Sequence, residues 1–194
     1  MVRRAINRFV RVVVMRRVLS VAAAMLALYG TSFAQGVDMS GLYTIAGAAS
    51  RDKTDDVIRQ LQDKKDPNVT DDNGETPLCY AAQFGDARMA NALIFYGADI
   101  NARDPFGNTA LHWAAQRGAI DVIQLLLAAK APVDAQNKQG VTPLMMAAKS
   151  GQAAASRLLL KNGADPKKQD FTGRDAIGWA DGKPAVLAIL RSAG

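Results

Sequence analysis

Two side chains carry the chemistry of a catalytic or redox group: His112, the one histidine, and Cys79, the one cysteine. An imidazole acting as general base needs a nucleophile and an orienting partner within hydrogen-bond reach, and no second histidine exists to help. A lone thiol excludes an internal disulfide, and it is reactive only in an electropositive, accessible setting; a buried one behaves as a small hydrophobe. Two acidic runs, "DKTDD" at 52–56 and "DKKD" at 63–66, are the residue types that ligate hard cations, yet the same runs read as solvated helix faces. The sequence has no Cys/His cluster of zinc type and no phosphate-cradling loop. On this reading no catalytic, cofactor-binding or metal-ligating residue is assigned. A small enzyme or redox sensor centred on His112 or Cys79 remains the alternative.

His112 belongs to a pattern. "DNGETPLCYAAQFGD", "PFGNTALHWAAQRGA" and "KQGVTPLMMAAKSGQ" align, with Gly74, Gly107, Gly140 and Gly173 spaced 33 residues apart. The same interval separates Thr76, Thr109 and Thr142, Leu78, Leu111 and Leu144, and the alanine pairs 81–82, 114–115 and 147–148. Each position has a physical reason. The threonines cap a first helix by accepting one of its orphan N–H groups, and Pro77 and Pro143 fit the first turn, where no N–H is needed. Leucine and paired alanines suit a face on which neighbouring units stack. Gly85, Gly118 and Gly151 allow a tight turn into second helices expected near 87–96, 120–129 and 153–162, which Gly97 and Gly163 then end in the left-handed conformation.

A 33-residue period carrying T-P-L-H-x-A-A resembles the ankyrin repeat, over roughly residues 38–194. The resemblance implies an all-α ankyrin-repeat solenoid of helix-turn-helix units with β-turn fingers. Full repeats are placed at 71–103, 104–136 and 137–169, a degenerate one at 38–70 with Val57, Ile58 and Leu61 facing inward, and a closing cap at 170–194. In the cap Pro184 replaces the inter-helix glycine before a short "AVLAIL" helix. Lys130 stands where the helix-ending glycine belongs, at a cost of roughly 1 kcal/mol if left-handed. The resemblance gives His112 the role of a brace to the adjoining turn, and Trp113, aligned with Tyr80, Met146 and Trp179, that of a filler of the stack.

The N-terminus reads differently. Arg3, Arg4, Arg8, Arg11, Arg16 and Arg17 precede an apolar block from Val18 to Tyr29, and Ser32 and Ala34 stand at the −3 and −1 positions before Gln35. This is the tripartite form of a secretory signal peptide over 1–34, cleaved after Ala34, with Met1 or Met15 as the start. The apolar block falls short of the ~20 residues that span a bilayer, so an uncleaved anchor would have to recruit the arginine-interrupted stretch before it. Removing the six arginines leaves 18 Lys+Arg against 18 Asp+Glu. The net charge of +6 thus belongs to the export segment, and nucleic acid is a poor partner by charge and by compartment.

Resemblance to exported bacterial ankyrin proteins implies a periplasmic, non-enzymatic scaffold, monomeric alone and without stable membrane insertion, that binds another protein. Envelope or oxidative-stress enzymes and toxins or effectors are the partner settings it suggests. The varying positions of such repeats are the fingertips and the exposed side of the first helix. Carried over, they are Asp72, Asn73, Glu75, Gln83 and Phe84; Arg103, Pro105, Phe106, Asn108, Gln116 and Arg117; Gln136, Lys138, Gln139, Val141, Lys149 and Ser150; and Phe171, Thr172 and Arg174. Phe106 and Phe171 are either hot spots or packing between adjacent tips. The charges grade from Asp72 and Glu75 to Lys138, Lys149 and Arg174, which would orient a polar partner.

Overall fold

The computed structural model describes residues 44–193; the export signal expected over 1–34 and the start of the first repeat lie outside the described residues. The architecture is a stack of paired helices, with no strand among the described residues. In chain order they are α1 (Ile45–Ala49), α2 (Thr54–Gln62), α3 (Pro77–Phe84), α4 (Ala87–Phe95), α5 (Ala110–Arg117), α6 (Ile120–Ala128), α7 (Pro143–Lys149), α8 (Ala153–Lys161), α9 (Ala176–Trp179) and α10 (Pro184–Ala193). The odd-numbered helices pack on one another in sequence and the even-numbered ones form a second layer. The expected bounds of the second helices match α4, α6 and α8 to within a residue.

Local chemistry sets these ends. The Thr76 and Thr142 hydroxyls accept the N–H of Cys79 and Met145 at 3.2 and 3.3 Å, and Pro77 and Pro143 open their helices without an unused donor. Between the layers, Leu78, Leu111 and Leu144 and the three alanine pairs are at most 2% exposed. Alanine leaves the inner helices free to approach closely, while each leucine buried there stabilises the stack by roughly 1.5–3 kcal/mol. Val57 and Leu61 join this core as expected, but Ile58 is only partly buried, since among the described residues the unit of α2 has a neighbour on one side.

The closing unit is shortened at its first helix. α9 is four residues long, and Gly182, with φ of +69°, makes the turn so that Pro184 can serve as the first residue of α10. Val186 and Leu190 are buried in the core of the stack. Ile177, on the leucine position of the repeat, is 37% exposed because no further described unit covers it.

Lys130 is left-handed, with φ of +65°, as are Asp52 and Lys64 in the first unit, where the full repeats have glycine. Lys130→Gly is therefore expected to raise the unfolding free energy by about 0.5–1 kcal/mol, the relieved Cβ strain less the added freedom of the unfolded chain. Urea denaturation followed by circular dichroism checks it; an unchanged midpoint would mean that the lysine stem makes up the difference.

Candidate protein-binding surface

Each finger is organised by one residue on the 33-residue grid: Asp71, Asp104, Asn137 and Asp170. The side-chain oxygen accepts two backbone N–H groups from its own turn, as Asp104 does from Phe106 and Asn108, both at 2.8 Å. Asn137 takes those of Gln139 and Val141, and Asp170 those of Thr172 and Arg174. The second carboxylate oxygen reaches the helix behind the finger. It accepts the Tyr80 hydroxyl at Asp71 (2.6 Å), the Trp113 indole N–H at Asp104 (3.0 Å) and the Trp179 indole N–H at Asp170 (2.9 Å). The third grid residue, Asn137, is an amide, and its partner position holds Met146, which has no proton to give. The Asn137 amide instead donates to the Asn108 carbonyl oxygen at 2.8 Å.

These bonds set the charge of the surface. Burial alone would raise Asp71, but the Tyr80 hydroxyl and the N–H groups of Glu75 and Asn73 outweigh it and hold the carboxyl below its usual range. Asp170 is held lower still, chiefly by the Thr172 hydroxyl, with backbone N–H groups and the Trp179 indole adding to it. Glu75 has a single long bond of this kind, from the Gln83 amide at 3.3 Å. Burial, then repulsion from Asp104 and Asp71, outweighs that bond and pushes it up to about 7, which weakens the negative charge of Glu75 near neutrality.

The fingers are also tied to one another. The Lys138 N–H donates to the Phe106 carbonyl and the Phe171 N–H to the Gln139 carbonyl, each at 3.0 Å. Arg103 donates to the carbonyls of Gly107 and Gln136, and Gln136 repeats the arrangement on Gly140 and Gln169. The corresponding link to the first described finger is missing: Pro105 stands on the position of Lys138 and Phe171 and has no N–H to give. Its ring instead lies 3.1 Å from where a Gly74 Cβ would be.

His112 is fully buried and both ring nitrogens are engaged with backbone. Nε2 donates to the Val141 carbonyl of the next unit at 3.0 Å, which leaves Nδ1 to accept the Thr109 N–H at 3.1 Å. Burial is the main cause of its lowered pKa, about 4, so the imidazole is neutral and serves as a brace between units. Cys79 is buried as well, and desolvation pushes its thiol up to about 12. Among the described residues no group of three or more His, Cys, Asp or Glu is placed to hold a metal ion, and no helix is long and apolar enough to cross a membrane.

Between the fingers and the inner helices of the last three units runs an open trough of about 420 Å³. It brings together Phe106, Asn108, Gln116, Gln139, Lys149 and Arg174 of the sequence-derived set, with Val141, Ser150 and Thr172. Asp72, Asn73, Glu75, Gln83, Phe84, Arg103, Pro105, Arg117, Gln136, Lys138 and Phe171 lie outside it. Two of the side chains expected at the surface are buried: Asn108 bonds Asp104 and Asn137, and Val141 packs under the brace. Phe106 is 60% exposed. Phe171 is 73% exposed, although its ring also lies against Gly140, so it combines tip packing with a free face. Phe84 stacks on Tyr80, 6.3 Å between centroids. Sequence reasoning missed the floor of the trough, formed by Trp113, Asn137, Met146, Asp170 and Trp179. The signal was present: acid or amide and large residue are nine apart in the last four units, at 71 and 80, 104 and 113, 137 and 146, 170 and 179.

A stack of helix pairs whose fingers and inner helices present a preformed, partly aromatic surface defines a repeat scaffold of the kind that recognises other macromolecules. The chain belongs to the ankyrin-repeat family: the family model described as ankyrin repeats (3 copies) matches residues 23–104, 45–137 and 79–170. A relative, an ankyrin repeat-containing protein of Schizosaccharomyces pombe, is 42% identical over 54 residues. That match covers 28% of this chain and 26% of the relative, so the chain spans only about a quarter of the relative's length. As in the family generally, the repeats form a protein–protein interaction scaffold.

Proposed function

We propose that this scaffold is exported to a bacterial periplasm and there binds a partner protein through its fingertips and the trough, without catalysing a reaction. The observation that carries the binding reading is the trough itself, open to solvent, floored by Trp113, Met146 and Trp179 and overhung by the exposed Phe106. Large aromatic side chains held by a rigid scaffold are the usual anchors of protein interfaces, and they need little rearrangement on binding. Export rests on the arginine-rich and apolar segment ahead of Gln35. Partner settings remain those of envelope or oxidative-stress enzymes and of toxins or effectors.

The test is expression of the full chain with a C-terminal tag in its host. The intact mass of the recovered protein should match a chain starting at Gln35; retention of Met1 or Met15 would overturn cleavage, and recovery from the cytoplasmic fraction would overturn export. Proteins captured by the wild type should be lost, by roughly a hundredfold in affinity, from a Phe106→Glu variant that melts normally, since anchors of this type carry about 2–4 kcal/mol. Capture of the same set by both would remove the trough from the interface.

A further inference from the structure

The trough is apolar on its floor and one-signed in charge at its rim. Lys149 is exposed, and among the described residues it has no carboxylate partner; its ammonium lies 5.0 Å from the centroid of Trp179. The Arg174 guanidinium sits 4.3 Å from the same ring and half-exposed. The carboxylate lining the trough, Asp170, is only 2% exposed at its side chain and is occupied by Thr172, Arg174 and Trp179, so it offers no accessible negative charge to a ligand. Two cations held over an indole, Arg174 also paired with the buried Asp170 at 3.5 Å, lie beside half-buried Trp113 and Met146 and exposed Phe106, and together they complement a ligand that is anionic at one point and bulky and apolar at the next.

Resting on the binding reading above, we propose that the trough takes an extended protein segment in which an Asp or Glu side chain lies beside a large apolar one. The carboxylate meets Lys149 and Arg174, and the apolar side chain packs on Met146 and Trp113 beneath Phe106. Inner helices stacked about 8–10 Å apart make the three units span roughly 20 Å, the reach of about six extended residues. A backbone-tracking polyanion would require a row of phosphate contacts, and the trough lining offers only these two cations.

The full chain is panned against a phage-displayed library of random peptides. Enriched sequences are synthesised with a fluorophore, each beside a version carrying Asn or Gln for its Asp or Glu, and affinities are read by anisotropy. Enrichment of acidic residues next to Leu, Phe or Trp is expected, with at least about tenfold weaker binding for the amide peptide and for Lys149→Glu. Lys149→Arg should retain affinity, and melting curves should show both variants folded. Enrichment of neutral or basic peptides, no enrichment, acidic peptides indifferent to Lys149→Glu, or peptide displaced by phosphatidylglycerol vesicles would each overturn the proposal. Peptides that depend on Phe106 but not on Lys149 would sink the acidic segment and leave the binding reading standing. A native partner retained by Phe106→Glu would sink the binding reading itself.

Discussion

Gly140→Ala should lower the unfolding free energy by about 2–4 kcal/mol, combining the left-handed penalty with forced displacement of the next finger. Gly140 has φ of +78°, and a Cβ there would lie 2.7 Å from the Phe171 backbone nitrogen, closer than atoms pack. That nitrogen is fixed by its bond to the Gln139 carbonyl, so it cannot yield without breaking the link between tips. Gly163→Ala is the control, with φ of +90° but nothing within 4 Å of the added carbon. It should cost only about 1–2 kcal/mol. Equal losses for the two variants in urea denaturation would show that the contact between tips is loose.

His112→Leu is expected to cost about 2–3 kcal/mol, because it leaves the buried Thr109 N–H without an acceptor. The Val141 carbonyl is less affected, since it also accepts the Asn137 N–H. His112→Met should cost less, for one unit further on the Met145 sulfur accepts the Thr142 N–H at 3.3 Å. Partner affinity should follow only the folded fraction; lost function in a variant that still melts cooperatively would revive the reading of His112 as a reactive group.

The same side chain gives stability a pH dependence. The folded pKa, about 4, lies below the ordinary 6.5, so between these values the unfolded chain binds a proton that the folded one refuses. Stability contributed by the neutral imidazole is whole above 6.5 and falls as the pH is lowered towards 4, by about 3 kcal/mol in all. Glu75 acts in the opposite sense. Raised from 4.5 to about 7, it is protonated in the fold where the unfolded chain is ionised, and stability falls as the pH rises through that interval. The difference between wild-type and His112→Met curves isolates the histidine. A flat difference from pH 7 to pH 4 would contradict burial of a neutral ring.

Much of this architecture was legible because a strict period turns single weak signals into one strong signal. Thr76, Leu78 and Gly85 each say little, but three copies in register place helix ends to within a residue. Lys130 was legible for the same reason, as an exception to a known grid. The floor of the trough was not. Tyr80, Trp113, Met146 and Trp179 align as large residues, and size suggests filling; that three of them turn a polar proton toward a carboxylate depends on the finger folding back over its helix. Asn137 facing Met146 shows the rule from the other side, since a carboxylate there would have no donor. Asn108 failed as a surface residue because the same network draws its amide inward.

The ties between fingers have a mechanical meaning. From Phe106 to Phe171 the tips behave as a comb cast in one piece, each tooth bonded to the next, so a ligand lying across them freezes little that was moving. The tooth at 71–75 lacks that bond, because Pro105 cannot supply it. Asp71 bonds it to its own helix through Tyr80, and the Pro105 ring packs beside it without a hydrogen bond. A partner long enough to touch both regions would meet tips tied by hydrogen bonds at one end and a tip held by packing at the other.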